Sequence, residues 1–172
     1  MSSILQTFLL AGALHLDPAQ TKDYEAITTA IANVVARERP LFRNDDDRFR
    51  TASLVEAMAW REGSLRLKVQ GDCDKSKPGE PCKGKPHSFC TMQIHDTSGG
   101  TEALNDDPEA CIKKAMDMIR ESMRMCADAP IAFYASGPGA CTNTRALAIS
   151  RDRVALSRRI YVFALAAVKE AA

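Results

Sequence analysis

The six cysteines, at positions 73, 82, 90, 111, 126 and 141, constrain this 172-residue chain more than any other feature. All fall in the last hundred residues, and an even, clustered set in a small chain favours disulfides and an oxidising destination. A Cys3His zinc site built from Cys73, Cys82, His87 and Cys90 is the alternative, although the spacings contain no tight CxxC pair. If the thiols are bonded, helix geometry excludes one pairing. Cys111 and Cys126 fall on one predicted helix, where a rise of about 1.5 Å per residue separates them by about 22 Å. A disulfide needs Cα atoms within about 7 Å. The preferred connectivity is Cys73 with Cys82, Cys90 with Cys111, and Cys126 with Cys141.

The chain is long enough for one domain with a proper core and short for two. Its formal net charge is +1, so bulk electrostatics draw it neither to nucleic acid nor to an anionic membrane. The opening sixteen residues are apolar, and small residues (Ala11, Gly12, Ala13) follow the run as in a signal peptide. No Lys or Arg precedes it, and it is too short and too interrupted to span a bilayer. An N-terminal helix or docking segment is the expectation.

Asp17-Pro18-Ala19-Gln20 reads as a helix start, with Asp as N-cap and Pro at the first helical position. Tyr24, Ile27, Ile31, Val34 and Val35 then recur at helical spacing until Pro40. Asn44-Asp45-Asp46-Asp47 could bind a cation but fits better as the acidic cap of a second helix. That helix carries Phe49, Leu54, Val55, Met58 and Ala59 and runs to about Arg61, with Gly63 as its stop. Residues 68–85 are rich in Gly, Pro, Lys and Asp and predict a polar loop that needs a disulfide to pack. Positions 90, 92 and 94 alternate apolar with polar over 88–95, as in a short strand.

Asp107-Pro108-Glu109 opens a third helix with Ile112, Ala115, Met116, Ile119 and Met123 on its apolar face. A short apolar segment at 130–136 is broken by Gly137-Pro138-Gly139. Arg153–Lys169 predicts a last helix. Arg151, Arg153, Arg158 and Arg159 make its start basic, and Ile160, Val162, Phe163 and Leu165 continue it as apolar. The expectation is one α+β domain over 1–172, predominantly helical, with a helical N-terminal segment over 1–40 and a small β-hairpin region.

Glu62 is the acid whose setting points to chemistry. It closes an apolar helix and adjoins Trp60. The negative end of the helix dipole and partial burial both push a carboxyl toward its protonated form. Such an acid can donate to a leaving group, and glycoside cleavage needs that donor because a sugar alkoxide leaves poorly. His15, His87 and His95 have no convincing Ser or Cys partner and read as surface or core residues. No cofactor is expected, and since the zinc and cation alternatives above are not the preferred readings, no resident metal is expected either.

The blocks AMAWREGSLR (57–66), SFCTMQI (88–94) and IAFYASGPG (131–139) resemble the lysozyme-like family of soluble lytic transglycosylases and goose-type lysozymes. There a helix ends in Glu followed by Ser or Gly. A Gly-Leu-Met-Gln-Ile-type motif comes about thirty residues later, and an Ala-Tyr-Asn-Ala-Gly-Pro-Gly-type motif further on. The resemblance covers about residues 52 to 145. Cys90-Thr91 stand where the pattern has Gly-Leu, Ala135 where it has Asn, and the Lys- and Cys-bearing loop is foreign to it.

The resemblance implies a lysozyme-like fold that cuts the glycan strands of peptidoglycan, with Glu62 as acid/base. It places Gln93 along the sugar cleft, Tyr134 beside Glu62, and Ser88, by a looser match, in the approach to the Gln-Ile motif. A lytic transglycosylase manages with one Glu, whereas a hydrolase usually needs a second carboxylate. Asp72 is the candidate for that role. Asp74, in the same polar loop, and Asp96, before a turn, have weaker claims. The rival class is a virion or cell-envelope assembly component that grips peptidoglycan without cutting it. With disulfides and no recognisable signal sequence, a virion, extracellular or periplasmic site of action is expected.

Overall fold

A computed structural model describes residues 2–16, 22–43, 47–75, 80 and 82–170. Among the described residues there are six helices and a small sheet: α1 Ser2–Leu16, α2 Lys22–Arg37, α3 Asp47–Gly63, β1 Gln70–Gly71, β2 Ser88–Phe89, β3 Ile94–His95, α4 Pro108–Met125, α5 Ala132–Ser136 and α6 Thr144–Glu170. Short 3-10 turns link them at 96–98, 102–105 and 140–142. The architecture is α+β and mostly helical. The sheet is antiparallel in the order β1-β2-β3, with Gly71 opposite Ser88 and Ser88 opposite His95. Among the described residues no helix is long and apolar enough to cross a membrane.

The opening apolar run is a core helix: Leu5, Phe8, Leu9 and Ala13 of α1 are fully buried. The periodicities of α2 and α4 mark their inner faces, since Tyr24, Ile27, Ile31, Val34, Val35, Ile112, Ala115, Met116 and Ile119 are all buried. In α3, Leu54, Val55, Met58 and Ala59 join the same core, and Phe49 packs against it. Asp107 caps α4 as expected: its carboxylate accepts the Ala110 N–H at 2.9 Å, and Pro108 takes the first turn. The proposed caps at 17–20 and 44–46 lie outside the described residues.

All six cysteines are bonded, Cys73–Cys82, Cys90–Cys111 and Cys126–Cys141, with Cα separations of 5.5, 6.4 and 5.2 Å. This is the preferred connectivity, and it rules out the Cys3His zinc set. Cys111 and Cys126 stand at opposite ends of α4.

The structure makes the expected β-hairpin specific and moves the start of the last helix. The strand-like run 88–95 is a hairpin: Cys90 (φ 59°) and Gln93 (φ 47°) turn left-handed, and every residue from Ser88 to Met92 is buried, so the alternation does not separate inside from outside. Helix α6 begins at Thr144, not Arg153, because Asn143 supplies an N-cap, accepting the Ala146 N–H at 3.0 Å. On α6, Ile160 is buried but Val162 and Phe163 are exposed, so its apolar sequence does not all face the core.

Candidate active site

Glu62 occupies the last turn of α3, where Ser64 and Leu65, both at φ 52°, turn the chain out of the helix. Gly63, expected as the stop, is the last helical residue and does a different job. A Cβ there would lie 2.6 Å from the Thr91 carbonyl oxygen, so only glycine lets α3 lie directly on the hairpin turn. The catalytic-looking end of one helix is thereby pressed against the Met-Gln-Ile motif.

That turn is clamped at Cys90, Met92 and Gln93. The Cys90 N–H donates to Asn105 Oδ1 at 2.8 Å, and its sulfur is tied to α4. The Cys90 carbonyl accepts from the Gln93 N–H at 2.9 Å and from Gln93 Nε2 at 3.1 Å. The Met92 carbonyl accepts from the Tyr134 hydroxyl at 2.6 Å. Gly71 on β1 makes room for the Gln93 side chain, since a Cβ there would meet Gln93 Oε1 at 1.9 Å.

A cleft of about 750 Å³ opens above this junction, and Glu62, Asp72, Ser88, Gln93 and Tyr134 all line it. These are the five residues singled out from the sequence, drawn from α3, the polar loop, the hairpin and α5. Ser88 Oγ donates a short hydrogen bond to Asp72 Oδ2. Tyr134 on α5 also donates its N–H to Ser122 Oγ at 3.0 Å. Burial, and then the negative charge of Glu62, raise the phenol above its ordinary range, with Arg153 opposing, so Tyr134 keeps its proton. Its hydroxyl is spent on Met92, so it braces the Gln93 turn rather than bonding Glu62 directly.

Two further observations revise the sequence reading. Trp60, two residues before Glu62, faces away from the cleft, edge-on to Tyr24 and packed near Leu156 and Ile160. Glu62 has instead a charged partner, Arg153 of α6, which donates to Glu62 Oε1 from Nε at 3.0 Å and from Nη2 at 2.6 Å. The pair is largely shielded, with side chains 18% and 12% exposed. Arg61 and Asp152, one step earlier on the same two helices, pair at 2.8 Å. Arg153 sits ninety-one residues from Glu62, and the only sequence signal was the basic start of α6. Arg145, His95 and Glu121 also line the cleft unforeseen.

Asp74 and Asp96 do not enter the cleft lining. They flank His87, at 2.6 Å from Nε2 and 2.7 Å from Nδ1, so His87 is neither a lone surface nor a core histidine. The chain matches no protein-family profile, no curated protein and no solved structure.

Proposed function

We propose that this protein cleaves the β-1,4 bond between N-acetylmuramic acid and N-acetylglucosamine in bacterial peptidoglycan, as a lytic transglycosylase on a lysozyme-like fold. The observation that carries this reading is the convergence of Glu62, Gln93, Tyr134, Ser88 and Asp72 on one open cleft. Left-handed backbone at Asp72 and Gln93, within that cleft, adds support, because such conformations cost on the order of 1–3 kcal/mol each and gather at functional sites.

In this mechanism Glu62 gives a proton to the glycosidic oxygen as the bond to the muramyl C1 breaks. The muramyl C6 hydroxyl then attacks C1 and returns its proton to Glu62, closing a 1,6-anhydro ring. Arg153 holds Oε1, so Oε2 carries the proton in transit. Gln93 and the Ser88–Asp72 pair grip the strand, and the Tyr134–Met92 bond keeps Gln93 in place. Three disulfides suit an oxidising site of action, in a virion or at the cell envelope.

Asp72 supports a second reading. It lines the same cleft as Glu62 and is held by Ser88, and a hydrolase would need a second carboxylate there. Wall-clearing assays and mass spectrometry of the products decide among the readings. Glu62→Gln should fold normally and lose clearing by at least about a hundredfold, the low end for a positioned acid. Products lighter by one water, with anhydro ends, support the transglycosylase. Reducing ends together with an inactive Asp72→Ala protein would make it a hydrolase. A wild-type protein that binds walls without clearing them would make it a structural component.

A further inference from the structure

The hairpin register gathers a second cluster at the cleft rim. His87 immediately precedes β2, His95 ends β3 opposite Ser88, and the Asp96 N–H donates to the His87 carbonyl at 2.7 Å. Three side chains therefore share the open end of one hairpin. The two imidazole rings lie nearly parallel, 18° apart, with centroids at 5.8 Å. Asp96 bridges them, with Oδ2 at 2.7 Å from His87 Nδ1 and Oδ1 at 3.0 Å from His95 Nδ1. Across the Cys73–Cys82 loop, Asp74 Oδ1 stands 2.6 Å from His87 Nε2.

We infer that His87, His95 and Asp96 form a binding site for a divalent transition-metal ion of the zinc class, with Asp74 orienting His87 from behind. Donor chemistry carries the case. His95 Nδ1 accepts the Thr97 N–H at 3.3 Å and lies 2.8 Å from Thr97 Oγ1, so an ion there must displace the Thr97 contacts from its lone pair, and Asp96 Oδ1 beside it is also an acceptor. If His87 Nε2–H donates to Asp74, its Nδ1 likewise turns a lone pair on Asp96 Oδ2. A doubly protonated His87 would satisfy its own two contacts but not the His95–Asp96 pair. A single cation satisfies both. One ring nitrogen of each histidine and a carboxylate oxygen of Asp96 all lie within 4.8 Å of one another. Two imidazole nitrogens and a carboxylate suit zinc and its neighbours better than calcium or magnesium. The carboxylate–histidine contact at Asp74 is the outer arrangement that metal-bound imidazoles favour. All four side chains are partly exposed, so an ion can enter from solvent. Bound there, it would pin the hairpin that presents Ser88 and Gln93, independently of the reaction performed in the cleft.

Titration calorimetry of the disulfide-bonded chain with Zn²⁺ in a non-coordinating buffer tests this directly. One ion per chain, released by a chelator, is expected. His95→Gln and Asp96→Asn should each weaken binding by more than about tenfold, and Asp74→Asn by about tenfold to a hundredfold with the stoichiometry kept. His15→Gln should change nothing. Paramagnetic Co²⁺ bound to the unaltered protein should shift the NMR signals of His87 and His95 most, which keeps the test valid if a ligand variant misfolds. Absence of stoichiometric binding would overturn the assignment. So would Co²⁺ shifts centred elsewhere, or Zn²⁺ affinity unchanged in both His87→Gln and His95→Gln.

Discussion

In α1 to α4 and α6, position is set by apolar burial: Leu5, Phe8, Ile27, Ile31, Leu54, Met58, Ile112 and Ile160 are all almost wholly excluded from water. Between α3 and α4 the same chain behaves differently. Its strands are two residues long, and all five described non-glycine residues with left-handed φ lie there: Ser64, Leu65, Asp72, Cys90 and Gln93. That wall is held by two disulfides, by side-chain bonds to backbone at Cys90 and Met92, and by a glycine contact at Gly63. The helical frame tolerates one awkward group, Glu56, whose carboxyl is fully buried beside Gly12 and Ile160 and has no hydrogen-bond partner among the described residues. The wall instead concentrates strain and polar groups where the cleft needs them. Stability and site geometry are thus carried by separate parts of the molecule, and they should be separable by mutation.

The largest test removes the staple between wall and frame. Cys90→Ala with Cys111→Ala should lower unfolding free energy by roughly 3 kcal/mol, the constraint expected for a loop of this length. Denaturant titration measures the loss. Far-UV circular dichroism should keep its helical signal while wall clearing falls further than the unfolded fraction explains. If clearing tracks stability alone, the division between frame and wall is wrong.

A smaller effect, of opposite sign, is expected inside the frame. Glu56→Met removes an unpartnered buried carboxyl and should stabilise the protein by about 1–3 kcal/mol at neutral pH without altering activity. Burial holds the Glu56 carboxyl well above its ordinary 4.5. Below that value the folded and unfolded chains both keep this proton. As pH rises through it only the unfolded chain ionises, so Glu56 withdraws stability until its raised folded value is passed. Subtracting the Glu56→Met stability curve from the wild-type curve should show that decline with rising pH. A flat difference would mean the carboxyl finds a partner in solution.

The smallest effect belongs to the exit from α3. Ser64 is exposed at φ 52°, so Ser64→Gly should relieve left-handed strain and raise the melting temperature slightly, by less than about 1 kcal/mol in free energy. Destabilisation instead would show that the turn after Glu62 depends on the serine side chain.

The helices were legible because burial on one face leaves a 3.6-residue period in the chain, as at Ile27, Ile31, Val34 and Val35. Helix rise excluded one disulfide, Cys111 with Cys126, and left the rest of the connectivity open. Glu62 could be singled out from its place at the end of an apolar helix, whereas Gln93 and Tyr134 were named only through the resemblance carried by the motifs around them. Other features have no local signature at all. The hairpin at 88–95 depends on left-handed turns that a strand-like alternation conceals. The Glu62–Arg153 pair, the Ser88–Asp72 bond and the His87–His95–Asp96 cluster join residues through space, and a side chain's partner across the fold leaves no period in the sequence. Local propensity and covalent geometry act along the chain, so the sequence determined most of the helices and excluded one crosslink. Charge pairing and cleft shape act between elements, so only tertiary packing decided which charge faces Glu62 and which residues share its cleft.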